Sequence, residues 1–395
     1  MKKKICTMFL VLTLLIVFSG VSACGTKGDA DTIMIGAAMC QTGIQAPIDE
    51  PALKGAQLAV DILNEQGGIL GKKVVLKNMD GKSDPVTVGN VAKQLLEEGA
   101  VAIMAPSDFD FGGPASREAN AKGVVSISPT ASSPLYGSEA LGELSYTLSM
   151  WNTTMGATVA EFAYNEKGWR NAYVITDDFI DYTKSLSRYF IARFDEMGGK
   201  VLLEDTYTQG QQDISAQLAR LKNLKPQPDF VYISSYMPDL ALMIRTLREN
   251  GIDLPVCGGD TYDDPALYQA LGKEYGNNVF YDTHGFLSAQ ANEKYPEFAK
   301  GWEKKYGNVP DETWGMPGYD VIMVMAQAME KAGSTEGKKV SEAMETTEFD
   351  LLTGKLKWAS AADGHEPDKA AAMCQLIDGE PIFIGWVRPE KLPRP

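Results

Sequence analysis

The chain has 395 residues, with 37 Lys and Arg against 52 Asp and Glu, and a formal net charge of −15. Its 44% hydrophobic and 23% charged content is that of a globular protein, and the length suggests two or three domains. The acidic balance argues against nucleic acid as a partner, because a phosphate backbone is held mainly by Lys and Arg; two histidines, His284 and His365, leave little for His-rich metal sites or proton relays.

Met1-Lys2-Lys3-Lys4 precedes an apolar run from Ile5 to Val21, which ends in Val21-Ser22-Ala23-Cys24. A basic start, an apolar stretch and small residues before a cut site describe a secretory signal over residues 1–23. The alternative, a single spanning anchor, needs ~20 apolar residues, and this run contains Thr7, Thr13, Ser19 and Gly20. The ending resembles the lipobox of bacterial lipoproteins, which implies a lipid on Cys24 and a protein anchored to the cell membrane on its extracytoplasmic face. Without residues 1–23, which hold three lysines and no acid, 372 residues remain with net charge −18. Residues 24–31 are small and polar, and read as a flexible tether. Cys40, Cys257 and Cys374 remain at wide spacing with no Cys-x-x-Cys pair, so zinc ribbons and thioredoxin-like motifs are absent; whether two of them form a disulfide stays open.

Strand-like runs then alternate with helical periods. Strands are expected at 32–36, 74–76, 101–104 and 124–127, with helices over 52–66, 86–98 and 114–121. The second half repeats the rhythm: strands at 172–175, 201–203, 230–233, 254–257 and 279–281, and helices over 184–197, 214–224 and 240–250. A strongly apolar helix is expected over 318–332, then strands of a small meander at 356–358, 373–377 and 382–384. Such alternation means βαβ units and parallel sheets, and two series mean two doubly wound, Rossmann-like α/β lobes. Ligands of open α/β sheets sit beyond the carboxyl ends of the strands. The glycine pairs at 67–68, 112–113, 198–199 and 258–259 read as helix stops and tight loops. The acid pairs Asp177-Asp178 and Asp263-Asp264 read as solvated surface. The motifs of serine hydrolases, phosphate loops, zincins and dinucleotide folds are missing, so no enzyme, no cofactor and no metal is expected.

The stretch Lys54-Gly55-Ala56-Gln57-Leu58-Ala59, running on through Asn64-Glu65-Gln66-Gly67-Gly68-Ile69 to Gly71, together with Asp80-Gly81-Lys82-Ser83-Asp84-Pro85, Ser128-Pro129-Thr130-Ala131-Ser132 and Tyr236-Met237-Pro238-Asp239, resembles the leucine/isoleucine/valine-binding proteins. These are the type I periplasmic binding proteins that serve ABC transporters, and the resemblance covers nearly all of the mature chain. It implies two lobes joined by three crossings, near 150–152, 282–285 and 353–355. Residues 31–150 with 284–353 would form the N-terminal lobe, and 151–283 with 354–395 the C-terminal lobe.

The resemblance further implies a monomer that captures a small solute and works with ABC permease and ATPase subunits; a ligand sensor that signals to a membrane partner is the second reading. For the ligand it implies a carboxylate pocket from the loop Ser107, Asp108, Phe109, the backbone of Thr130 and the hydroxyl of Ser132, leading into the helix at Pro114. Tyr182, Tyr236 and Asp260 would complete the site, with Asp260 receiving an ammonium group. The chain departs from the family in three places. Asp108 and Asp110 put negative charge beside the carboxylate pocket, Ile48 stands near a family tyrosine, and Ser83 replaces a disulfide cysteine. His284 and Trp151, at the crossings, are read as structural more than ligand-facing.

Overall fold

The computed structural model describes residues 31–395; the signal, Cys24 and the tether up to residue 30 lie outside the described residues. In chain order the first series is Thr32–Ala37 (β1), Ala46–Glu65 (α1), Lys73–Asn78 (β2), Pro85–Glu97 (α2), Ala102–Met104 (β3), Phe109–Ala121 (α3), Val125–Ser128 (β4), Ser138–Leu141 (α4) and Ser145–Thr147 (β5). The second is Asn152–Glu161 (α5), Asn171–Asp177 (β6), Asp181–Glu196 (α6), Lys200–Tyr207 (β7), Ser215–Asn223 (α7), Phe230–Ser234 (β8), Asp239–Glu249 (α8), Val256–Gly258 (β9), Pro265–Tyr275 (α9) and Val279–Thr283 (β10). Tyr295–Tyr306 (α10), Gly315–Ala332 (α11) and Gly337–Glu345 (α12) follow, then Phe349–Leu351 (β11), Gly354–Trp358 (β12), Pro367–Lys369 (β13), Ala371–Ile377 (β14) and Glu380–Val387 (β15).

The first sheet has the order β2-β1-β3-β4-β5, all parallel. The second repeats that order as β7-β6-β8-β9-β10 and adds β14 and β15 as an antiparallel hairpin beside β10. Both sheets are therefore doubly wound, with switch points between β1 and β3 and between β6 and β8, where ligands of this topology gather. Side chains alternate across each strand, so each sheet feeds two cores. Ile33 and Ile35 of β1 pack with Ala56 and Ala59 of α1 and with Val321 and Met325 of α11. The opposite face meets Val88, Ala92 and Leu95 of α2 and Ala115 and Ala119 of α3. In the second lobe, α5 and α6 cover one face with Val159, Phe190 and Phe194, and α7, α8 and α9 cover the other with Leu218, Ile244 and Leu267.

The stretch over 54–71 acts in this packing. A Cβ at Gly55 would sit 1.8 Å from the Gly315 carbonyl oxygen, and one at Gly318 would sit 1.9 Å from that of Ala52. Glycine on both helices lets the backbones of α1 and α11 touch. Asn64 at the end of α1 donates to the Val74 carbonyl and accepts from its N–H, at 2.9 and 2.8 Å, pinning the helix to β2. Gly67 and Gly68 then turn the chain at positive φ.

Three expectations need correction. The helix read over 114–121 starts five residues earlier, at Phe109, so Gly112 and Gly113 lie inside it. Gly112 is there for contact: the Pro106 carbonyl lies 2.5 Å from where its Cβ would be. The expected C-terminal meander is split, because β12 pairs with β11 and β13 in a separate three-stranded sheet while β14 and β15 join the second sheet. Leu356 and Trp358 of β12 bury themselves in the same core as Ile33. Finally, Asp177 and Asp263 are buried, not solvated. Asp263 accepts from the hydroxyls of Tyr268, Thr283 and Thr313 at 2.7, 2.8 and 2.6 Å.

The crossings are held by a buried amine. Lys369 donates to the Leu148 carbonyl and to Thr353 Oγ1, both at 2.8 Å, and burial pushes it down to about 8. Cys40, Cys257 and Cys374 are buried free thiols. Ser83 makes the hydrogen-bonded link between its loop and residues 42–45, accepting from the Gln45 N–H at 3.0 Å and donating to the Thr42 carbonyl at 2.7 Å. Among the described residues no helix is long and apolar enough to cross a membrane, and no group of three or more His, Cys, Asp or Glu could hold a metal ion.

Candidate functional site

The loops beyond the strand ends of the two sheets meet face to face. Ser107 and Asp108 follow β3, Thr130 follows β4, Tyr182 lies in the first turn of α6 after β6, Tyr236 follows β8 and Asp260 follows β9. These six line one cavity together with Ile48, Thr261 and Trp314. The free space is about 10 Å³, about the room of one water. It adjoins a further ~30 Å³ lined by Ile44, Pro47, Ile48, Met237 and Trp314 among others, so the polar end opens onto an apolar one.

Two expected residues lie elsewhere. Phe109 turns toward Ala131, Tyr136 and Leu141, with the Arg117 guanidinium 5.8 Å from its ring centre. Ser132 is buried at the first crossing, where its carbonyl accepts from the Asn152 N–H at 2.6 Å. Sequence reasoning missed Thr261 and Trp314. Trp314 precedes α11 and reaches the cleft only because that helix packs on α1; no local signal marks it. Asp49 was missed as well. Fully buried in α1, it accepts from the N–H groups of Cys40 and Ser107 at 2.8 and 3.0 Å and so fixes the loops after β1 and β3. Burial pushes Asp49 up to about 6.

Several bonds span the cleft. The Tyr236 hydroxyl donates to the Asp108 carboxylate, the Asp181 N–H donates to Asp110 Oδ2 at 2.9 Å, and the Ser133 hydroxyl donates to the Asp181 carboxylate. Asp110 thus sits at the N-terminus of α6, where a negative charge is favoured. Asp108 is buried, and desolvation pushes it up to about 7 against the lowering effect of the Tyr236 hydroxyl. Asp260 is also buried; its Oδ2 lies 2.7 Å from His284 Nε2, and its Oδ1 has no hydrogen-bond partner. Burial holds His284 below its ordinary value even though Asp260 pulls the other way. Asp282, behind them, has neither oxygen bonded; burial first, then Asp260, pushes it well above the usual carboxylate range. The site is rich in carboxyl groups, and neither Lys nor Arg lines it.

Asp108 is also the residue before α3. The helix N-terminus expected to receive a ligand's carboxylate therefore carries a carboxyl group of its own. A larger cavity of about 430 Å³, among Thr154, Trp358, Lys369 and Arg388, shares no residue with the cleft. Two of its cations are engaged, Lys369 as above and Arg388 with Asp368.

Comparison with known proteins agrees with the fold. The model of the periplasmic binding protein family matches residues 32–380. The chain is 27% identical, over 84% of its length and 88% of the relative's, to a Leu/Ile/Val-binding protein of Rhizobium johnstonii. In fold it is similar to a leucine-binding protein of Thermotoga maritima, with a TM-score of 0.81, 27% identity and coverage of 91% of this chain and all of that one. It is also similar to the branched-chain amino acid substrate-binding protein of Streptococcus pneumoniae solved with isoleucine, with a TM-score of 0.82, 24% identity and the same coverage. The chain belongs to the periplasmic binding protein family, whose members are extracytoplasmic solute-binding proteins of transport systems and not enzymes.

Proposed function

We propose that this protein is the solute-binding lipoprotein of an ABC transporter. It captures a small solute, an amino acid or a related amine or amide, between its two lobes and delivers it to permease and ATPase subunits. Cys24 carries the lipid that holds the monomer to the outer face of the cell membrane. The observation that carries this reading is the convergence of Ser107, Asp108 and Thr130 from one lobe with Tyr182, Tyr236 and Asp260 from the other on a single cavity. A ligand held by both sides binds the closed arrangement more tightly than the open one, which is the thermodynamic requirement for ligand-driven closure. The bonds from Tyr236 to Asp108 and from Asp181 to Asp110 are the contacts that closure completes. The three crossings and Lys369 form the hinge, and the lobes are 31–150 with 284–369, and 151–283 with 370–395.

The test is a thermal-shift screen of the mature chain against amino acids, amides and amines, followed by calorimetric titration. A ligand that binds only the folded state raises its apparent stability by an amount that grows with ligand concentration. One class should shift the melting temperature with one-to-one stoichiometry. No binding by any of the three classes, or turnover of a bound compound, would refute the reading.

A further inference from the structure

Asp108 comes from one lobe and Asp260 from the other, and both line the same cavity with less than 5% of their surface exposed. Among the described residues neither forms an ion pair with Lys or Arg; the basic partner of Asp260 is His284, at 2.7 Å. Asp260 Oδ1 is buried with no hydrogen-bond partner. A buried carboxylate without a counter-charge is expensive to maintain, and here two of them flank the space where a ligand must sit. Aromatic rings of Tyr182, Tyr236 and Trp314 complete the walls, and aromatic faces attract cations electrostatically. Tyr182 and Tyr236 stand edge to face with ring centres 5.7 Å apart. Beyond them the space runs into the apolar end at Ile44, Pro47 and Met237.

A zwitterionic amino acid meets only half of this arrangement. Its ammonium group suits Asp260, but its carboxylate would have to lie in a site without Lys or Arg, beside Asp108 at the start of α3. We propose that the site selects organic cations that lack a free carboxylate: an ammonium group seated between Asp108 and Asp260, with a short apolar body directed toward Ile44 and Met237. The inference rests on the solute-binding reading above and narrows its ligand class. Burial lowers His284, which disfavours an opposing charge beside Asp260. Closure and charge recognition are then one event, because a cation neutralises a carboxylate from each lobe at once.

The experiment is calorimetric titration of the mature chain, freed of carried-over ligand by unfolding and refolding, with a matched set. L-leucine carries both charges, L-leucinamide and 3-methylbutylamine carry only the positive one, and 4-methylpentanoate only the negative one. A wider panel of primary and quaternary amines runs beside it. Amines should bind at least tenfold more tightly than leucine, with no binding of the acid. Asp108→Ser should reduce that preference at least tenfold by admitting a carboxylate, while circular dichroism confirms that the variant is folded. Leucine binding as tightly as leucinamide to the unaltered protein overturns the inference. So does binding of amino acids or neutral amides with no amine bound, an outcome that leaves the solute-binding reading standing. No binding by any class overturns both.

Discussion

Replacing Asp260 by Asn should move ligand affinity and protein stability in opposite directions. The side chain keeps its shape, and its oxygen still faces His284 Nε2, which lies 2.7 Å from Oδ2. What disappears is the negative charge and the unpartnered Oδ1, which the amide N–H₂ replaces. A charge-assisted hydrogen bond to a ligand ammonium contributes roughly 1.5–3 kcal/mol net, and ~1.4 kcal/mol is tenfold in affinity. The variant should therefore bind an amine-bearing ligand about 10- to 150-fold more weakly. The ligand-free protein should gain about 1–3 kcal/mol, because the substitution removes a buried charge that no Lys or Arg offsets, and desolvating a charge costs more than desolvating a neutral amide. For domains of this size that corresponds to a melting temperature higher by about 2 °C or more. Titration calorimetry reads the first effect, and scanning calorimetry without ligand reads the second. Unchanged affinity would remove Asp260 from the site. A joint fall of affinity and stability would refute the reasoning, because it would mean the carboxylate serves the fold through His284.

The remaining expectations concern pH, packing and anchoring. Burial raises Asp49, Asp108 and Asp263 to about 6, 7 and 6, and lifts Asp282 well above the usual carboxylate range. Between the unfolded carboxyl value near 4 and these folded values the native state binds more protons, so stability is full below that window and is lost as pH rises through it. His284, lowered by burial, acts with the opposite sign but is outnumbered. The ligand-free protein should thus melt several degrees higher at pH 5 than at pH 8; a melting temperature that is flat or rises over that range contradicts the burial of these acids. Gly55→Ala should cost about 1–3 kcal/mol, since its methyl group would meet the Gly315 carbonyl at 1.8 Å; urea unfolding with no change in midpoint would show that α1 and α11 do not touch there. Cys24→Ala should abolish incorporation of labelled fatty acid and release the protein from the membrane fraction, and persistent labelling would remove Cys24 as the anchor.

Much of the architecture was legible because it is written locally. β1, β8 and β10 are short apolar runs, and α1 and α2 carry amphipathic periods with glycine or an N-cap at their ends, so neighbouring residues suffice to find them. Of the elements that escaped, α5 had no such contrast. Every residue of α5 is buried, including Thr153, Thr154 and Thr158, so no polar face marks it as a helix. α3 was entered too late because Gly112 and Gly113 read as a loop, whereas Gly112 serves the close approach of the Pro106 carbonyl. β12 looked like its neighbours β14 and β15, but its partners decide its sheet, and partners are not a local property.

The site divides in the same way. Ser107, Asp108, Thr130, Tyr182, Tyr236 and Asp260 could be named in advance because the resemblance to the leucine/isoleucine/valine-binding proteins assigns them, and each lies beyond the carboxyl end of a strand, where ligands of doubly wound sheets bind. Sequence by itself thus determined the two-lobed α/β class, the acidic character and most of the cleft's rim. Tertiary structure alone decided that Asp108 and Asp260 confront each other from opposite lobes, that Trp314 closes the cavity beside Ile48, and that Asp49 and Lys369 are buried supports. The reason is physical. Periodicity and capping act over a few residues, whereas desolvation and the absence of a counter-charge depend on what the rest of the chain brings alongside.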